Sequence, residues 1–226
     1  LNKNCKKYVT IPSRDCDFLK TSFWTEKREL MENTERREGK TMANVYVFTA
    51  DGFEEIEGLT VVDLMRRAGA RVEMVSISDG LAVKGSHGIE IKADTFFDNV
   101  DFGQADLLVL PGGMPGTLHL GEHQGLAKLL GDFNARGKRI AAICAAPSVL
   151  GGLGLLKGKK AVCYPGFEDK LTGAAVETKE VVTDGNITTS RGLGTAIPFA
   201  LELISLLFGE EKAEEIRKSV IFQENQ

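Results

Sequence analysis

No stretch of this chain stays apolar for the roughly 20 residues that a bilayer crossing needs, so no transmembrane helix is expected. Charge of one sign is also scarce. A net charge of −4 over 226 residues leaves no basic footprint for nucleic acid or an anionic membrane. Metal-ligating residues are few: four cysteines (Cys5, Cys16, Cys144, Cys163) and three histidines (His87, His119, His123), with no CxxC spacing. No metal site is expected from that set. Cysteines without close pairing suit reduced thiols and a cytoplasmic location. No Gly-Lys-Ser/Thr ending marks a phosphate loop, and no G-x-S-x-G marks a hydrolase elbow.

What is present reads as an ordinary folded chain. Hydrophobic residues make up 42% and charged ones 27%, which suits one soluble domain, or one domain with an appendage. Residues 1–41 form the appendage. They are polar and mixed in charge, with no helical or alternating apolar pattern. They lack the apolar core of a secretory signal, and their acidic residues do not suit a transit peptide. The expectation is an extension outside the folded domain, or translated sequence upstream of a start at Met42.

From Met42 onward strands and helices alternate. "NVYVFTA", "RVEMVSIS", "ADLLVLPGG" and "KRIAAIC" read as buried strands. "EEIEGLTVVDLMRRAG", "GLAKLLGDFNARG", "AAPSVLGGLG", "TAIPFALELISLLFG" and "EEKAEEIRKSV" read as helices. "LAVKGSHGIEIKAD" and "VVTDGNITTSRG" read as hairpins, the second with Asp-Gly-Asn at its turn. This alternation predicts an α/β sandwich around a largely parallel sheet covered on both faces. Ligands in such sheets sit beyond the strand C-termini, near a switch in strand order. "ADGFEE", "PGGMPG" and "CAAP" all lie at such ends.

Cys144 stands where a strand turns into a helix, flanked by Ala142, Ala145 and Ala146. A cysteine in an apolar run is ordinarily a small core residue. At the apex of such a turn it would instead face the positive end of the next helix, which favours a thiolate and lowers its pKa. Spacing alone leaves both readings open. Three carboxylates follow the first strand. Glu54 and Glu55 read as solvated complements to the helix dipole, whereas Glu57, between Ile56 and Gly58, reads as partly buried and able to stay protonated. In "LPGGMPG", Gly112 and Gly113 permit close backbone approach, and the N–H groups of Gly113 and Ala145 together suit an oxyanion. His119 and His123 lie in a polar, turn-rich stretch and read as exposed. Cys163 reads as core, and Arg191 as an anion contact or a loop hydrogen bond.

The segments "ADGFEEIE", "VVDLMRRAGARV", "DLLVLPGGMPG", "AAICAAP" and "SRGLGTAIPFALELI", in that order, resemble the ThiJ/PfpI superfamily and most of all its DJ-one branch. The resemblance covers nearly all of residues 42–226 and none of 1–41. It implies a flavodoxin-like α/β sandwich and a homodimer. It makes Cys144 the reactive cysteine, Glu57 its protonated acidic partner, and Gly113 and Ala145 the backbone donors. It further implies cofactor-free conversion of methylglyoxal or glyoxal to hydroxy acids, deglycation, or oxidant sensing, with peptidases and chaperones in related branches. The chain departs from the family at one place: Tyr164 stands where several members carry a histidine near the cysteine. A tyrosine is a poor base at neutral pH, which weakens a peptidase reading.

Overall fold

The computed structural model describes residues 42–222; the expectation for residues 1–41 lies outside the described residues. Eleven strands run in chain order: β1 (Asn44–Thr49), β2 (Arg71–Ser76), β3 (Ala82–Lys84), β4 (Glu90–Lys92), β5 (Thr95–Phe96), β6 (Leu107–Leu110), β7 (Arg139–Ile143), β8 (Lys160–Ala161), β9 (Ala175–Val176), β10 (Val181–Asp184) and β11 (Ile187–Ser190). The α-helices are α1 (Glu55–Arg67), α2 (Gly116–Glu122), α3 (Gln124–Ala135), α4 (Pro147–Gly152), α5 (Ala196–Phe208) and α6 (Glu210–Ser219).

Seven strands form one sheet in the order β10-β11-β7-β6-β1-β2-β5. Every pairing is parallel except β10 with β11, which the tight turn after Asp184 makes antiparallel. The strands are hydrophobic on both faces because helices cover both. Along β1, Val45 and Val47 pack with Val61 and Met65 of α1 and with Phe199 and Leu203 of α5. The intervening Tyr46 and Phe48 pack with Leu120 of α2, Leu126, Leu130 and Phe133 of α3, and Leu150 of α4. The expected covered parallel sheet is therefore present, and β3 with β4 forms the expected hairpin.

From β1 the chain builds outward in two directions, to β2 on one side and through β6 and β7 on the other. This is the switch point where an open sheet leaves a crevice beyond its strand ends. "ADGFEE" leaves β1, "PGGMPG" leaves β6 and "CAAP" leaves β7 at that crevice.

One expectation needs correction. The stretch read as polar and turn-rich contains α2, a helix of 7 residues. His123 then caps α3, its Nδ1 accepting the Leu126 N–H at 3.0 Å. Thr195 stands at the N-cap of α5 but makes no side-chain cap to it. Its hydroxyl turns back to the Gly192 N–H at 3.1 Å and the Ser190 hydroxyl at 2.7 Å.

Candidate active site

Cys144 follows β7 with φ 64, a left-handed backbone that β-carbon-bearing residues rarely adopt. Neighbours on both sides fix it there. Its N–H donates to the Ser190 carbonyl at 3.0 Å, extending the β11–β7 ladder. Its carbonyl accepts from the Tyr164 N–H at 2.8 Å, and Ala146 N–H closes the turn on Ile143 O at 3.0 Å. Strain held by surrounding structure is characteristic of functional positions. Here it lifts the side chain above the end of the sheet.

Glu57 arrives from the first turn of α1 and is 1% exposed. Gly58 makes the depth possible: a Cβ there would come within 3.1 Å of the Phe53 ring and 3.3 Å of Pro111. Glu57 Oε2 accepts the Gly112 N–H at 2.9 Å. Oε1 is buried with no hydrogen-bond partner among the described residues, and the neighbouring Cys144 thiol holds the carboxyl's pKa down against burial. Gly112 is held from its other side as well, its carbonyl accepting the Glu54 N–H at 2.8 Å. Gly113 then turns at φ 91, so close to the β1–α1 loop that a Cβ would sit 2.3 Å from Glu54 N. The N–H groups of Ala145 and Gly113 favour the Cys144 thiolate. Cys144, Glu57, Gly112, Gly113 and Ala145 are thus brought together from three loops.

Burial pushes Glu57 up to about 7; the thiol and the Gly112 N–H hold it back, and the charge of Glu54 adds to the rise. Burial, the Glu57 charge and the hydrogen bond to Glu57 push the Cys144 thiol up to about 12, against the pull of the Ala145 and Gly113 N–H groups. The expected lowering by the following helix is therefore corrected. α4 has only 6 residues, and its dipole is outweighed by desolvation and by a carboxylate in contact. The repulsion belongs to ionised Glu57 alone. A protonated Glu57 carries no charge and offers the sulfur a hydrogen-bond donor. The two groups therefore act as a unit around a shared proton.

This pair makes stability depend on pH in a definite direction. Glu57 is raised in the folded protein from 4.5 to about 7. Its contribution is fully present below pH 4.5 and is lost as pH rises through about 7. Going from pH 5 to pH 8, the wild type is expected to lose about 3 kcal/mol relative to Glu57→Gln, which has no proton to lose. Urea unfolding of both proteins across that range measures it; parallel stability curves would show the shift is absent.

The remaining predicted residues fall outside the pair or at its border. Tyr164 lies at the border, with its ring edge 3.2 Å from where a Gly192 Cβ would stand. Arg191 faces away; its guanidinium donates to Thr178 O at 3.4 Å, the loop role among its two readings. Cys163 is core, and burial pushes its thiol up to about 11. His119 is exposed, with Nδ1 3.0 Å from Asp51 O.

Glu55 is not the solvated residue expected. It is 2% exposed, with Oε1 accepting the N–H groups of His87 at 3.0 Å and Ile89 at 3.3 Å. Burial alone would raise it, but its own N–H, those of His87 and Ile89, and the His87 ring outweigh burial and hold it below the usual range. The β3–β4 hairpin is thereby locked onto the start of α1. Glu54, Glu55 and His87 place donor atoms within 4.8 Å of one another, the one such set among the described residues. Their hydrogen bonds account for the cluster without a metal. Gly192 and Ser190 were not singled out from the sequence. Ser190 holds the Cys144 backbone, and Gly192 lies beside Glu57 Oε1, 3.9 Å from where its Cβ would be.

Comparison with known proteins identifies the family. Residues 43–206 match the model of the DJ-1/PfpI family. Protein dj-1beta of Drosophila melanogaster is 40% identical over 181 residues, covering 79% of this chain and 97% of that protein. The DJ-1 homologs A and B of Arabidopsis thaliana are 40% and 39% identical, and this chain spans less than half of each, 47% and 42%. A protein of Pyrococcus horikoshii named a deglycase is 34% identical, over 72% of this chain and 98% of its own. Among solved structures, oxidized DJ-1 of Toxoplasma gondii superposes with a TM-score of 0.78 at 39% identity, over 80% of this chain and all of that one. The fold is accordingly the flavodoxin-like sandwich of that family, and the chain belongs to the DJ-1/PfpI family.

Proposed function

We propose that this protein is a cofactor-independent enzyme that converts small 2-oxoaldehydes such as methylglyoxal to 2-hydroxy acids. The observation that carries this reading is that Cys144, on its left-handed turn, meets the buried Glu57 carboxyl across Gly112, whose N–H binds Glu57 Oε2 at 2.9 Å, and burial pushes that carboxyl up to about 7. A carboxyl poised there can take and return protons at neutral pH. The thiol passes its proton to the ionised Glu57 as the sulfur attacks the aldehyde carbon. The resulting oxyanion meets the Gly113 and Ala145 N–H groups. Glu57, its first proton lost to the oxygen, removes the proton on C1 and returns it to C2 through an enediol. This leaves a thioester, which water cleaves to the hydroxy acid and free thiol. C1 is oxidised and C2 reduced within one molecule, so no external electron carrier is required. The same hemithioacetal chemistry reaches early glycation adducts, and a relative carries the deglycase name.

The substrate partner is a small aldehyde. The protein partner is a second copy of this chain. Ile56, 51% exposed, adjoins Leu59, Ile197 and Val220 on one groove, which supports a homodimer. Free thiols at Cys144 and Cys163 support a reducing, cytoplasmic setting. No helix among the described residues is long and apolar enough to cross a membrane.

The test is conversion of methylglyoxal to lactate by the purified chain, without glutathione or added metal, with its mass measured by sedimentation. Lactate formed in step with aldehyde loss is expected from a dimer. Aldehyde consumption without lactate would reduce the reaction to simple thiol capture. A second reading has its own support: the Toxoplasma gondii structure is of an oxidized protein, and Glu57 can hydrogen-bond an oxidised Cys144 sulfur. Selective oxidation of Cys144 by dilute peroxide, with no lactate formed, would favour that sensor role.

A further inference from the structure

Three large apolar side chains on loops that border the Cys144–Glu57 pair stand half exposed: Met114 at 45%, Tyr164 at 50% and Leu193 at 47%. Single exposed hydrophobics are ordinary on a soluble protein. These three differ in how they are attached. Met114 is the residue after Gly113, whose N–H favours the Cys144 thiolate. The Tyr164 N–H holds the Cys144 carbonyl at 2.8 Å. Leu193 follows Gly192, and a Cβ added at Gly192 would lie 3.2 Å from the Tyr164 ring and 3.9 Å from Glu57 Oε1. Each comes from a different loop, two of them one residue or one hydrogen bond away from the site and the third beside Glu57 through Gly192.

Substrate geometry says what such a border can touch. An aldehyde on Cys144 turns its oxygen to the N–H groups of Gly113 and Ala145. Glu57 closes the buried side. The substituent on C2 then lies on the open side of the pair, which the Tyr164 ring borders. Glu54 stands close by, its N–H bonded to Gly112 O at 2.8 Å and its side chain 13% exposed. Its carboxylate disfavours an anionic substituent.

We propose that Met114, Tyr164 and Leu193 form an apolar rim that selects 2-oxoaldehydes carrying a neutral alkyl or aryl substituent over unsubstituted or anionic ones. The proposal rests on the oxoaldehyde reading of Cys144 for its substrate, but the rim also acts on any electrophile that reaches the sulfur. A substituent that buries part of its surface against a half-open rim is worth on the order of 10-fold in kcat/KM.

The experiment therefore has two arms on the whole chain, using wild type, Tyr164→Ser and Met114→Ser/Leu193→Ser. The first measures kcat/KM for phenylglyoxal and glyoxal and takes their ratio. The second measures alkylation of Cys144 by N-phenylmaleimide and N-ethylmaleimide, read at the Cys144 peptide and divided by their rates with glutathione. The wild type should favour the aryl reagent in both arms, and each variant should lower that preference by about 3- to 10-fold. Far-UV circular dichroism checks that the variants fold, and the ratios cancel any general loss of rate. A preference equal in wild type and variants overturns the rim, whatever the turnover. Absence of oxoaldehyde turnover with a rim-dependent maleimide preference supports the rim and removes the glyoxalase reading.

Discussion

Cys144→Ser is expected to remove lactate formation from methylglyoxal, by about 10³-fold or more, while leaving the fold intact. The exchange keeps size and one polar hydrogen but raises the acidity demand far beyond what the site supplies. The thiol is already pushed up to about 12 by burial and by Glu57. A hydroxyl in the same place starts several units higher and is a weaker nucleophile toward a carbonyl once bound to a carboxylate. The backbone meanwhile is held by Ser190 O and Tyr164 N, neither of which sees the side-chain change. Thermal unfolding of the variant should stay within about 1 kcal/mol of wild type. Cys144→Gly separates strain from chemistry. At φ 64 a glycine fits without penalty, and a cysteine costs about 1 kcal/mol. Cys144→Gly should therefore be more stable than Cys144→Ala, and equally inactive. A protein that retains turnover in Cys144→Ser does its chemistry elsewhere. Inactive but unstrained variants would show that the strained turn exists to lift the sulfur and contributes nothing to the fold.

The architecture was legible because it is written in local patterns. Val45 and Val47 face one layer and Tyr46 and Phe48 the other, so the continuous apolar run of β1 could only belong to a sheet covered twice. Asp184 and Gly185 marked the one antiparallel turn of the main sheet. The convergence of Glu57, Gly112 and Cys144 followed from three loops leaving parallel strands at the same end. What was not legible depends on residues distant in sequence. Glu55 looks like a dipole complement because its burial is supplied by His87 and Ile89, over 30 positions later. α2 begins with Gly116 after a proline and carries a second glycine and three polar residues, so propensity gave no helix; packing of Leu120 against Phe48 and Val149 supplies it. The thiol's rise was missed for a similar reason. A helix start is visible in "AAPSVL", whereas the depth of Cys144 and its contact with Glu57 are properties of the assembled crevice. No glycine in "AAICAAP" signals the left-handed turn either.

Gly112→Ala tests that assembly most directly. Gly112 lies outside the left-handed region, so alanine suits its backbone and only space decides the outcome. The added methyl would stand 2.6 Å from Cys144 Cβ, 2.7 Å from Glu57 Oε2 and 3.0 Å from Ile143 O. None of the three can yield cheaply. Cys144 Cβ sits on a backbone bonded on both sides, Ile143 O belongs to β7, and Glu57 is buried with Oε2 already bonded to the Gly112 N–H. Overpacking at such a point costs about 1–3 kcal/mol, a fall in Tm of roughly 2–12 °C for a domain of this size. Activity should fall further, by about 10²-fold, because the methyl separates the sulfur from the carboxyl that shares its proton. Gly131→Ala provides the opposite sign. That glycine lies inside α3 with nothing within 4 Å of an added Cβ, so alanine there should stabilise by about 0.5–1 kcal/mol. Differential scanning calorimetry and lactate assays on the two variants read all of this. If Gly112→Ala keeps wild-type stability and turnover, the loops after β1, β6 and β7 do not close on one sulfur. If it loses turnover while Gly131→Ala keeps it, the crevice at the switch point acts as one packed unit, in which a single methyl parts nucleophile from acid.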